Sequence, residues 1–90
     1  MEEKPIGEGS LRPIGEVTHY YGGLGVAIVK FKETVNKGEA LHFKGAHTDF
    51  TQSVDSMQYD HKDIDSAKKG LEVGIKVSEK VREGDEVYRV

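Results

Sequence analysis

The stretch AKKGLEVGIKV, residues 67–77, decides the fold. From Leu71 the side chains alternate, with Leu71, Val73, Ile75 and Val77 on one face and Glu72, Gly74 and Lys76 on the other, the period of a half-buried β-strand. The strand is entered through Ala67-x-x-Gly70 and carries a second glycine, Gly74, in its middle. Glycine weakens a strand and marks a bend, a bulge or a close backbone approach, all of which a small closed barrel requires.

Working outward, the chain upstream repeats the theme. IGEVTHYY, residues 14–21, is strand-like, with Ile14, Glu16, Thr18 and Tyr20 on one side and Gly15, Val17, His19 and Tyr21 on the other, so its inward face stays open. A glycine turn ending at Gly25 leads into VAIVKFK, where Lys30 and Lys32 fix the outer face and turn Ala27, Val29 and Phe31 inward. After ETVNKG, with its turn glycine Gly38, EALHFKG places Leu41 and Phe43 inward and Ala40, His42 and Lys44 outward. These two segments are expected to pair as an antiparallel hairpin. In DFTQSVDSMQY, Val54 and Met57 are three apart, so a bulge is needed if both are to reach the core. Residues 60–69 read as a polar connector, and DEVYRV as the last strand, introduced by the turn REGD with Gly84.

Six short strands, punctuated by glycine and free of helical periodicity, predict an all-β fold, a small six-stranded antiparallel closed β-barrel over residues 12–90. Closure would hide the edges of so small a sheet. Residues 1–11, charged and broken by Pro5, Gly7 and Gly9, are expected to form a flexible arm. The first residues lack the apolar core of a secretory signal and no apolar run approaches the ~20 residues of a membrane helix, which predicts a cytoplasmic protein with no membrane partner. There is no cysteine, so disulfides and thiolate metal sites are excluded. A net charge of -3 argues against general polyphosphate binding and leaves room only for a local basic patch.

The series GGLGVAIVKFKETVNKGEALHFKG, SVDSMQYD, AKKGLEVGIKV and VREGDEV resembles the second domain of translational GTPases such as EF-Tu. Val35 and Gly38 match that family's turn, Val54-x-Ser56-Met57 its Val-x-Ser-Ile, Ala67-x-x-Gly70-x-x-Val73-Gly74-Ile75 its Ala-x-x-Gly-x-x-Val-Gly-Leu, and Gly84-Asp85-x-Val87 its closing motif. The resemblance implies a translation-factor barrel that contacts the ribosome, tRNA or a translation-related protein. The stretch SMQYDHKDIDSAKKG…VREGDEVYR is also similar to the tail domain of the U32 peptidase family, which implies an accessory domain that docks on an enzyme. No G-x-x-x-x-G-K-[ST] is present, so GTP binding is not expected. Gly22-Gly23-Leu24-Gly25 stands where those factors often carry an Arg-Gly pair, a departure at the region that meets aminoacyl-tRNA.

Candidate chemistry is sparse. His19, His42, His47 and His61 are far apart in sequence, and His61-Lys62-Asp63-Ile64-Asp65 lacks the glycine of a calcium loop, so no metal or other cofactor is expected. Ser56 lies in a strand expected to be packed, Asp63 and Asp65 in a polar connector, and a small filled barrel has no deep pocket to desolvate a reaction, so a non-enzymatic, monomeric binding module is predicted. Its candidate contact surface is the outer face bearing Lys30, Lys32, His42 and Lys44, with Tyr20 or Tyr21 offering a ring for stacking. Gly25, Gly38, Gly70, Gly74 and Gly84 are assigned structural roles in turns and close approaches.

Overall fold

A computed structural model describes residues 12–90, so the expected arm over residues 1–11 lies outside the described part. Ten strands follow in order: β1 (Pro13–Tyr21), β2 (Val26–Phe31), β3 (Val35–Asn36), β4 (Ala40–Gly45), β5 (Thr48–Ser53), β6 (Met57–Tyr59), β7 (Lys62–Asp63), β8 (Ser66–Ala67), β9 (Glu72–Lys76) and β10 (Glu86–Arg89). Eight form one antiparallel sheet in the order β5-β4-β10-β1-β2-β9-β6-β7, and β3 pairs with β8 apart from it. The all-β class stands, but the six-stranded closed barrel does not. The main-chain ladder ends at β5 and at β7 without joining them.

The strands whose alternation is regular form as expected. Ala27, Val29 and Phe31 on β2, Leu41 and Phe43 on β4, Val73 and Ile75 on β9 and Val87 on β10 are all buried, while Lys30, Lys44, Glu72, Lys76 and Glu86 face out. Burying each of these side chains other than Ala27 is worth about 1.5–3 kcal/mol, and the rings of Phe43 and Phe50 lie parallel with centroids 5.1 Å apart. Val35, Val54, Ala67 and Val81, from short strands and loops, cover the ends of this core.

In β1 the two-residue period breaks. Its register shifts between Pro13 and Gly15 against β10 and again between Val17 and His19 against β2. Each extra residue flips the parity, so Ile14 and Val17 are buried and Tyr20 packs on the core while Glu16, His19 and Tyr21 are exposed. Neither of the two faces read from the alternation is the inward one over the whole strand.

Two pairings differ from expectation. β2 and β4 are not a hairpin: β2 lies between β1 and β9, and β4 between β10 and β5. Both had the pattern of half-buried strands, and that pattern does not specify a neighbour. The stretch 49–59 is not one bulged strand either. It divides at residues 54–56, which lets Val54 and Met57 both reach the core while the chain leaves β4 and joins β9. Within the polar connector, Asp60 and His61 form a two-residue turn between β6 and β7, with φ of 54° and 65°. Positive φ at both positions is the type I′ geometry that suits strand twist.

The Ala67-x-x-Gly70 entry to β9 is set by burial and by a tight turn. Ala67 is fully buried and pairs with Val35, which fixes the end of the connector. Lys68–Leu71 is a turn closed by Leu71 N–H donating to the Lys68 carbonyl at 3.1 Å, with Gly70 at φ 88°. That conformation at the third turn position is the type II geometry, which favours glycine. The same construction recurs at Asn36–Glu39 with Gly38 at φ 96° and at Arg82–Asp85 with Gly84 at φ 91°. Gly74 serves differently: a β-carbon there would lie 3.3 Å from Val26 Cγ1 and 3.6 Å from Ile28 Cδ1, so its bareness admits the outer side chains of β2.

Two polar contacts tie the curled sheet together. Asp85 is buried, and its carboxylate accepts the Thr48 hydroxyl and, at 2.8 Å, the Arg82 N–H, which locks the β4–β5 turn onto the start of β10. Across the gap left by the open ladder, the Gln52 side chain of β5 donates to the Lys76 carbonyl at 2.8 Å and accepts from Ser78 N–H at 2.7 Å. One side-chain amide thus does the work of a ladder step between β5 and the end of β9.

Candidate functional site

The predicted lysine face is outward, but its members are dispersed. Lys30 on β2 and Lys44 on β4 are separated by β1 and β10, and register places them in one transverse row: Asp49, Lys44, Glu86, Glu16, Lys30, Glu72. Four carboxylates against two lysines give this row a net charge of −2, with each lysine between two acids. Opposite charges at such cross-strand positions stabilise the sheet and lower the local positive potential together. Lys32 follows β2 and is exposed, its N–H donating to the Ile14 carbonyl at 2.7 Å.

His42, two residues before Lys44 on the same outer face of β4, has its Nε2 2.6 Å from Asp49 Oδ1. That hydrogen bond, supported by the nearby His42 and Lys44 charges, holds the Asp49 carboxyl below its usual 3.8. On β10 the Tyr88 hydroxyl donates to Glu86 at 2.8 Å, which pushes its pKa upward because deprotonation would forfeit that bond and set two negative charges together. Tyr20 packs against the core, whereas Tyr21 is about half exposed, its ring 4.4 Å from that of His19. The predicted ring and lysines therefore do not converge on one spot.

What does converge is an apolar groove that the residue pattern alone did not assemble. On the outer face, Ile28 of β2, Gly74 of β9 and Gln58 of β6 stand in one row, and Tyr21, Val26 and Lys76 in the next. With no side chain at Gly74, the surface sinks between Val26 and Ile28 on one side and Gln58 on the other. The depression is about 380 Å³, continued by one of about 240 Å³ that shares Val26, Gln58 and Gly74 with it. Leu24, about two-thirds exposed at the tip of the β1–β2 turn, overhangs one end, and His61 of the β6–β7 turn the other wall. Asp60 and Glu72 are the acids of the larger depression, which no lysine or arginine lines. The signal was in the sequence: Val26 and Ile28 are apolar at outward positions, opposite a strand glycine. Joining them required knowing that β2 pairs with β9.

A second depression, about 450 Å³, lies at the gap in the ladder and is lined by Gln52, Ser53, Ser56 and Ser78 among others. It is open to solvent, and Asp55, Lys76 and Val77 complete its lining. Among the described residues no three His, Asp or Glu side chains come together as a metal site would need. No helix of the described residues is long and apolar enough to cross a membrane.

No protein-family profile matches the chain. It is 40% identical over 76 residues to an uncharacterized protease of Methanocaldococcus jannaschii, a match that takes in 83% of this chain and 19% of that protein. The chain thus spans about a fifth of the length of that relative. Two crystal structures of the C-terminal domain of a Geobacillus thermoleovorans protein assigned as a U32 peptidase share the fold. One, the selenomethionine form, superposes with a TM-score of 0.80 at 23% identity, covering 87% of this chain and 99% of that one. The other gives 0.81 at 22% identity over 89% and 93%. None of these relatives is a translational GTPase, so the likeness to the second domain of EF-Tu finds no support in them, whereas the likeness to a U32 tail domain does. This chain has the fold of that C-terminal domain nearly end to end, and its sequence is similar to a fifth of a protease.

Proposed function

We propose that this chain is a non-catalytic accessory domain that works with the catalytic body of a U32-type peptidase, rather than a translation-factor module. The observation that carries the reading is the 40% identity across 83% of the chain to a part, 19%, of a protease. The whole-domain match in fold to a U32 C-terminal domain supports it. So does the site chemistry: the core is filled by side chains, and the outward lysines are interleaved with carboxylates, an arrangement suited to a protein surface more than to a phosphate backbone.

The test is a titration calorimetry experiment with a U32-type catalytic body from the same host, stripped of any tail domain of its own. A one-to-one complex whose affinity changes little with added salt is expected. Absence of a complex, together with nuclease-sensitive capture of RNA by the tagged chain, would return the assignment to translation.

A further inference from the structure

We infer that the groove over Gly74 is a binding site for an extended polypeptide segment that offers one apolar side chain next to a lysine or arginine. The inference deepens the accessory-domain reading by naming the contacting surface and its ligand chemistry, and it rests on that reading for the class of partner.

Five observations lead to this occupant. Apolar side chains stand where a solvated sheet face would carry polar ones: Val26 and Ile28 point outward beside Tyr21 and the overhanging Leu24. An apolar depression edged by a few polar groups is the usual form of a binding site. The depression, about 380 Å³, is at the small end of ligand sites and suits one or two side chains rather than a large cofactor.

The charge of the lining selects the ligand's sign. Asp60 and Glu72 supply carboxylates to the larger depression, and Lys76 enters only at its smaller continuation. A nucleotide phosphate would meet those acids, whereas a lysine or arginine beside the inserted apolar side chain would pair with them. Gln58 uses its amide N–H on Asp63 at 3.1 Å, which leaves its carbonyl oxygen to accept from a main-chain N–H of the ligand. The turn that forms one wall is held in a costly shape, with Asp60 and His61 both at positive φ and no glycine to relieve them. Strain of that sort collects at binding sites, where it fixes side-chain direction.

The experiment follows backbone amide shifts by NMR as the chain is titrated with end-blocked peptides of glycine, leucine, lysine and glycine in that order. Parallel titrations use a counterpart with glutamate for lysine, one with glutamine for lysine, and a short oligoribonucleotide. Shifts are expected to concentrate at Leu24, Val26, Ile28, Gln58 and Gly74 with the lysine peptide and to weaken with the glutamate one. Leu24→Ser, at an exposed position that leaves the core intact, is expected to weaken both the lysine and glutamine peptides by about fivefold. Glu72→Gln is expected to weaken the lysine peptide by about threefold and to leave the glutamine peptide unchanged. Scattered or absent shifts, the same shifts with the oligoribonucleotide, or a dimer in sedimentation that buries these amides would overturn the assignment. Catalytic-body binding that is indifferent to Leu24→Ser overturns the groove while leaving the accessory reading in place. Peptide shifts in the groove with no catalytic-body complex keep the groove and remove that reading.

Discussion

The carboxylate of Asp85 occupies the space in which residue 45 would carry a side chain: a β-carbon on Gly45 would lie 2.6 Å from Asp85 Cγ. Gly45 ends β4 and Asp85 immediately precedes the neighbouring β10, and Thr48 and Arg82 hold the carboxylate there. Gly45→Ala is therefore expected to destabilise the domain by about 1–3 kcal/mol through overpacking against a group that cannot retreat. Asp85→Ala is expected to cost about as much by stripping partners from Thr48 and Arg82. Denaturant unfolding of the two variants and of the double variant checks this. The double variant should fall short of the sum, because the clash is gone once the carboxylate is.

Gln52 gives a second prediction. Replacing it with alanine removes both bonds across the gap in the ladder and is expected to lower stability by about 1–2 kcal/mol. Hydrogen exchange is the more specific readout: the Ser78 amide should lose protection while amides of β1 and β2 keep theirs. Equal loss everywhere would mean that Gln52 contributes only to global stability.

The pH response of the outer row can be signed. The Asp49 carboxyl is held below 3.8 first by its hydrogen bond to His42. A depressed folded-state value means that the folded protein binds fewer protons than the unfolded chain in this range. The contribution is present above about pH 4 and is lost as pH falls through the folded-state value. His42→Ala should bring the Asp49 titration, followed by carbon NMR, back up toward 3.8. An unchanged titration would assign the shift to Lys44 instead.

His61 sits at φ 65°, a conformation that costs a residue with a β-carbon about 1 kcal/mol. His61→Gly is expected to recover much of that and to raise the melting temperature. If the strain serves the groove, the same change should weaken peptide binding there, so stability and binding would move in opposite directions.

The strands most legible in the sequence were those in which lysine or glutamate alternates with β-branched or aromatic residues, as in β2, β4 and β9, because burial parity is a local property. Pairing is not local. The alternation in VAIVKFK and EALHFKG is equally compatible with their being partners and with their lying apart, and β1 and β10 in fact stand between them. The inward residues of β1, Ile14 and Val17, are three apart, as are Val54 and Met57. An irregular register hid the first strand's face, and those same bulges add the twist that rolls the sheet. The lysines were rightly placed outside, yet what they do depends on Glu16, Glu72, Glu86 and Asp49, which come beside them only through the strand order.

A cylinder joined all round by a ladder opens only when several main-chain bonds break together. This open, rolled sheet is held at Gln52 by a latch instead: rotation about side-chain torsions frees the edge of β5 without disturbing any other strand pair. The first motion away from the native state is then a hinged parting of the wall at residues 52 and 78, on the same flank of β9 as Gln58, so that the wall opens beside the smaller end of the groove, which shares Ser56 and Lys76 with the depression at the gap.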